Sequence, residues 1–113
     1  MLTLVVLALA ASQDPQTAKV YYGVAQGAKK PGEVVASKVF DEIPEFQKIK
    51  EKGLTSDDPE YFILLTKANT RFYAAVMKAA MAATCDVVVE KGTGTFTGAP
   101  ADLTKKAIDS IDK

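Results

Sequence analysis

The sequence has no histidine and only one cysteine, Cys85. Without histidine the chain lacks the commonest general base near neutral pH and the commonest transition-metal ligand. A lone cysteine cannot close an internal disulfide or hold a metal by itself. Cys85 opens a β-branched run and reads as a small buried hydrophobe, with an intermolecular disulfide as the alternative. An excess of one charge is also missing: 14 basic residues balance 14 acidic ones. A neutral chain offers no general attraction for nucleic acid or an anionic membrane. Nor does it contain an apolar run of the ~20 residues that span a bilayer as a helix.

The longest apolar run is residues 2–11. It ends in "ALAAS" and is followed by Gln13, Asp14 and Pro15. An apolar core followed by small residues reads as a secretory signal, removed near Ala10–Ser12. No lysine or arginine precedes the run, and the alternative is a buried N-terminal strand or helix of the fold. Residues 1–12 are therefore expected to be a signal peptide and residues 18–113 a single domain. A domain of that size buries a modest core, and oligomerisation is a common remedy for marginal stability.

Residues 19–24, "KVYYGV", predict a strand, with Gly23 marking a bulge or a close backbone approach. "AQGAKKPGE" has the composition of a loop. Apolar residues recur every three or four positions over 34–52, which predicts a helix. Pro44 interrupts it, so a kink or two short helices are expected, with Gly53 as the stop. "LTSDDPEY" has the chemistry of a helix start: Asp57 or Asp58 as cap, Pro59 in the first turn. The helix should run over 59–83, with a heptad-like apolar stripe of Tyr61, Leu65, Ala68, Phe72, Ala75 or Val76, Ala79, and Ala82 or Ala83. "DVVVEK" predicts a second strand, "GTG" a turn and "TFTG" a returning strand. Asp102 then caps a last helix over 103–111.

The expected fold class is α+β. A small antiparallel or mixed three-stranded sheet joins the early strand to the late pair. It is covered by a helical hairpin of one kinked and one long helix, with a short C-terminal helix. Val87, Val89 and Phe96, or their neighbours, should face the long helix.

Few residues suggest chemistry. Gly92, Gly94 and Gly98 lack the spacing and the following helix of a dinucleotide loop and read as a turn. Asp41, Glu42 and Glu45 cluster near the kink; Asp57, Asp58 and Glu60 cluster at a helix start, where capping accounts for them. No nucleophile is placed beside a base. The expectation is a non-enzyme with no metal and no cofactor.

Several segments together carry a resemblance. "KVYYGV", "ASKVFDEIPEFQKIKEK" and "NTRFYAAVMKAAMAATCDVVVEKGTGTFTGAPADLTKKAIDSI" resemble the OmpH/Skp family of periplasmic chaperones, over residues 18–24 and 36–111. In that family a helix likewise runs into a "D-hydrophobic-V" strand, a short strand and a helix capped by "D-[IL]-T". The resemblance implies a periplasmic or secreted protein that holds unfolded outer-membrane or envelope proteins without catalysis. It also implies a homo-oligomer, a trimer in the family. The partner-binding residues would be Tyr61, Phe62, Leu65 and Phe72. The chain departs from the family where residues 53–58 join the two helices almost directly, with no room for long arms. The alternative function is a structural or interaction subunit of the cell envelope without holdase activity.

Overall fold

The computed structural model describes residues 18–94, 96 and 98–111. The expected signal peptide, residues 1–12, lies outside them. The described elements are β1 (Val20–Gly23), β2 (Pro31–Val34), α1 (Ala36–Asp41), α2 (Pro44–Lys52), α3 (Pro59–Ala83), β3 (Val87–Glu90), β4 (Ala101–Asp102) and α4 (Thr104–Asp109). The class is α+β, and the sheet is mixed and four-stranded, in the order β1-β3-β2-β4. β1 runs antiparallel to β3, whereas β2 is parallel to both β3 and β4.

The pairing of the early and late strands is as expected, and Gly23 shows why glycine stands there. Its φ is +76°, and a Cβ would lie 2.1 Å from the Asp86 carbonyl oxygen. The register shifts between Val20 and Tyr22, a β-bulge. A bulge disturbs the alternation of side chains. Tyr21 and its neighbour Tyr22 accordingly both pack toward the helical core.

Three expectations are corrected. The stretch read as a loop contains β2, a strand with Pro31 first and Gly32 second. Proline is tolerated at a strand's first residue. Glycine is needed next because a Cβ on Gly32 would sit 2.7 Å from Leu103 Cδ1 and 3.1 Å from Cys85 Sγ. Among the described residues the expected β-hairpin after β3 is not seen: Phe96 and Gly98 belong to no strand. Positive φ at Gly92 and Gly94 turns the chain. The next strand, Ala101–Asp102, then pairs with β2 on the far side rather than with β3. Residues 95 and 97 of the expected returning strand lie outside the described residues. Finally, helix begins at Ala36 rather than 34, because Val34 belongs to β2.

The helices follow local chemistry closely. Pro44 starts α2, and Gly53 ends it with φ 63°. Pro59 starts α3, which ends at Ala83. Asp58 is its N-cap residue but makes no side-chain capping bond; its carboxylate accepts the Thr55 N–H instead, at 2.9 Å. The expected cap Asp102 stands one residue too early: Leu103 is the N-cap of α4, which has no side-chain capping bond, and the Asp102 carboxylate accepts the Thr104 N–H at 3.0 Å. Helix α1 has no polar N-cap of its own, since Val35 occupies that position. Its free amides are satisfied from across the fold. The Val35 N–H donates to Thr104 Oγ1 at 2.9 Å, and the Ala36 N–H to Glu90 Oε1 at 3.1 Å.

Two apolar clusters flank β3. Val88 faces the main core with Val34, Val39, Ile43, Phe72 and Val76. Val87 and Val89 point the other way, under Ala25, Ala28 and Phe96. It is therefore Val88, the neighbour of the expected pair, that faces α3. All three valines are fully buried. Within α3 the buried stripe is Leu64, Ala68, Phe72, Ala75, Val76, Ala79 and Ala80. Leu64, not Leu65, heads it, and Tyr61 and Leu65 are half-buried at its border.

Candidate functional site

An α-helix advances 100° per residue, so α3 divides into three faces. One is the buried stripe. A second faces α2 and is charged. There Arg71 Nε lies 2.8 Å from Glu45 Oε1 and donates to Oε2 at 3.0 Å. Lys52 Nζ reaches Glu60 at 2.9 Å on the same side. An open cleft of about 410 Å³ straddles this face and the next, lined by Glu45, Lys67 and Arg71 on the charged side and by Thr66 and Thr70 on the other. Glu45 is occupied by Arg71, and Asp41 pairs with Lys50 at 2.7 Å. The acidic residues near the kink thus tie α1, α2 and α3 together. Among the described residues no three Cys, Asp or Glu side chains converge as a cation site.

The third face is the outer flank, an arc of about 120°. It carries Phe62, Ile63, Tyr73, Met77 and Met81, with Thr66, Asn69 and Thr70 between them, all exposed. No charged residue falls within the arc; Lys67 and Lys78 stand at its border. A surface helix usually turns its charged residues to water. Here Phe62 is 53% exposed and Met81 63%. An apolar, charge-free helical flank of this length is the signature of a surface that meets another apolar surface.

The expected partner-binding residues distribute unevenly. Phe62 is on the flank. Tyr61 touches it edge-to-face, with ring centroids 5.2 Å apart, but is half-buried. Leu65 lies at the core border, and Phe72 is a correction: it is 1% exposed, the largest fully buried side chain. Its ring stacks on Phe40 at 4.6 Å and meets Tyr21 edge-on at 5.0 Å. Ile63, Tyr73, Met77 and Met81 were not expected on a surface. The signal for them is present in the sequence. Subtracting one apolar seam from α3 leaves a second in which no charge occurs at 62, 66, 69, 73, 77 or 81.

At its midpoint the flank reaches β1. Tyr73 and Tyr21 meet edge-on, with centroids 6.3 Å apart. The Tyr21 hydroxyl donates to Glu90 Oε1 at 2.7 Å. Burial, then the hydrogen bond to and the negative charge of Glu90, push the Tyr21 phenol far above its ordinary range. It stays neutral, holding the Glu90 oxygen that also receives the Ala36 N–H. β1 is an edge strand, so its outer side is unpaired among the described residues. Cys85 is buried in the main core, and burial raises its thiol above the usual value, which leaves it protonated near neutral pH.

No family model, curated protein or solved structure matches the chain, so the site rests on its own geometry. Among the described residues no helix is long and apolar enough to cross a membrane.

Proposed function

We propose that this chain is a non-catalytic, chaperone-like binding protein that takes up apolar segments of unfolded envelope or outer-membrane proteins on the outer flank of α3. The observation that carries this reading is the charge-free arc around Tyr73, exposed while the rest of the helix is spent on the core and on α2. An extended apolar surface gains roughly 25 cal/mol per Å² on burial and imposes little sequence selectivity, which suits a holder of diverse clients. The resemblance to the OmpH/Skp family supports the same reading, as does the apolar run at 2–11 for a secreted or periplasmic location. On that resemblance the protein works as a homo-oligomer, a trimer, which sedimentation of the processed chain tests.

The activity is tested by light scattering of a denatured outer-membrane protein diluted from urea. Equimolar protein should suppress aggregation, and Met77→Lys, which places a charge in the flank, should abolish the suppression without changing the circular dichroism. Unchanged aggregation in the presence of wild-type protein would remove the holdase reading.

A second reading is a structural or interaction subunit of the envelope without holdase activity. The short connection at residues 53–58 favours it, because α2 and α3 carry no long arms to enclose a client. Capture of one folded partner, lost on Met77→Lys, would select it.

A further inference from the structure

Sulfur is scarce in this chain and unevenly placed. Of its three methionines, Met1 lies outside the described residues, and the other two, Met77 and Met81, both stand on the outer flank of α3. They are 45% and 63% exposed. Methionine is ordinarily among the residues most often buried. Here the main core is filled by aliphatic side chains and Phe72, and its one sulfur is the Cys85 thiol. Positions 77 and 81 are about one helical turn apart, so the two thioethers share the flank with Tyr73, one turn earlier.

The two kinds of sulfur differ in reach. Cys85 Sγ sits against β2, where a Cβ on Gly32 would come within 3.1 Å of it. Burial also keeps that thiol protonated, and the thiolate is the form that reacts. The thioethers of Met77 and Met81 need no deprotonation and face solvent. An oxidant arriving from solvent therefore meets the flank and not the core.

A peroxide supplies the oxygen. The sulfur lone pair attacks one peroxide oxygen, the O–O bond breaks, and the other oxygen leaves as water, taking the proton of the first. Sulfur loses two electrons and the peroxide gains them. The product, methionine sulfoxide, is polar where the thioether was apolar. Its oxygen accepts hydrogen bonds, and an apolar segment laid on the flank has no donor to offer it. On the flank itself the Thr70 hydroxyl is already given to the Thr66 carbonyl, at 3.1 Å.

We propose that Met77 and Met81 form an oxidation switch on the flank of α3: peroxide converts the thioethers to sulfoxides and weakens the binding of apolar segments, and enzymatic reduction restores it. This inference rests on the binding function proposed above and adds its regulation. The fold persists in either state, because neither methionine belongs to the core.

In the test, the full chain is treated with hydrogen peroxide and each sulfur is followed by peptide mass spectrometry. Binding of a short fluorescent peptide rich in leucine and valine is measured by anisotropy before and after. Both methionines should gain one oxygen while Cys85 stays a thiol. The Kd should rise about tenfold, with unchanged circular dichroism. Methionine sulfoxide reductases for both sulfoxide epimers should return it to its starting value. With Met77→Leu and Met81→Leu combined, treated and untreated protein should have the same Kd, whatever that Kd is. Each single replacement should show an intermediate rise. If the double variant fails to fold, reversal by the reductases decides. An unchanged Kd after full oxidation overturns the switch, as does an equal rise in the double variant, a rise the reductases do not reverse, lost circular dichroism, or methionines that peroxide does not reach. The flank reading survives each of these if Met77→Lys abolishes binding by untreated protein. If untreated wild type does not bind the peptide, or Met77→Lys leaves binding intact, both fall.

Discussion

Thr84 ends α3 with φ 55°, a left-handed conformation that β-branched residues adopt only under strain. It is held there by the Cys85 N–H to the Ala80 carbonyl at 2.9 Å and by its place between helix and sheet. Its contact with Lys30 is exposed and worth little. Thr84→Gly should therefore stabilise the protein by roughly 1 kcal/mol, raising the melting temperature by about 4–8 °C in calorimetry. Asp86 offers a residue-scale pH prediction. The Lys29 amide, then the Lys30 amide, hold its carboxyl below the usual carboxylate range. A folded-state pKa below the unfolded one contributes stability that is present above the unfolded value. That stability is lost as pH falls through the folded value. Urea unfolding of Asp86→Asn should thus show a deficit at pH 6 that shrinks steadily below about pH 4. A deficit constant with pH would place the effect elsewhere. Residue types alone told the roles of Gly23, Gly53 and Pro59, because each answers to its own backbone. They did not tell that Asp58 turns its carboxylate back to Thr55, since several donors compete for a loop aspartate.

At the scale of elements, α2 and α3 are joined by Glu45 and Arg71, whose side chains are 14% and 35% exposed. Such a pair is costly to break and not costly to replace. Glu45→Ala should destabilise by roughly 1–2 kcal/mol, less than a fully buried pair because Arg71 keeps contact with water. The double change Glu45→Met with Arg71→Leu should recover most of that loss in chemical denaturation. The heptad-like spacing of α3 correctly marked it as a packed helix and placed Ala68, Phe72, Ala75, Val76 and Ala79 in the core; it missed at the N-terminal end, where Leu64 and not Leu65 is buried. Leu64 and Leu65 are equally apolar, and only the position of β3 and α2 decides which of them turns inward. The same ambiguity hid the second apolar seam, half of the candidate site. A stripe that faces solvent and one that faces the core have the same spacing.

For the molecule as a whole, β3 is the element on which both apolar clusters meet. It is central, with β1 and β2 on either side, and Val87, Val88 and Val89 are all buried. Their amides should be the slowest to exchange with deuterium by NMR, at the rate set by global unfolding. Val88→Ala should cost about 2–3 kcal/mol, as it empties space between Val34 and Phe72 that neither strand nor helix can close. The sequence by itself determined the α+β class, the bounds of α2 and α3, and the meeting of the early and late strands. Prolines, a terminal glycine and a valine run act through their own backbones and their nearest neighbours. Only the tertiary structure decided that a Lys-Pro-Gly stretch becomes β2. Its strand form depends on Leu103 and Cys85 packing over Gly32, residues far along the chain. Likewise α1 is capped by Glu90 and Thr104 rather than by its own flanking residues, and the last strand joins β2 instead of folding back on β3. Those choices follow from which backbone groups are left unpaired once the sheet has assembled, and no local pattern encodes that.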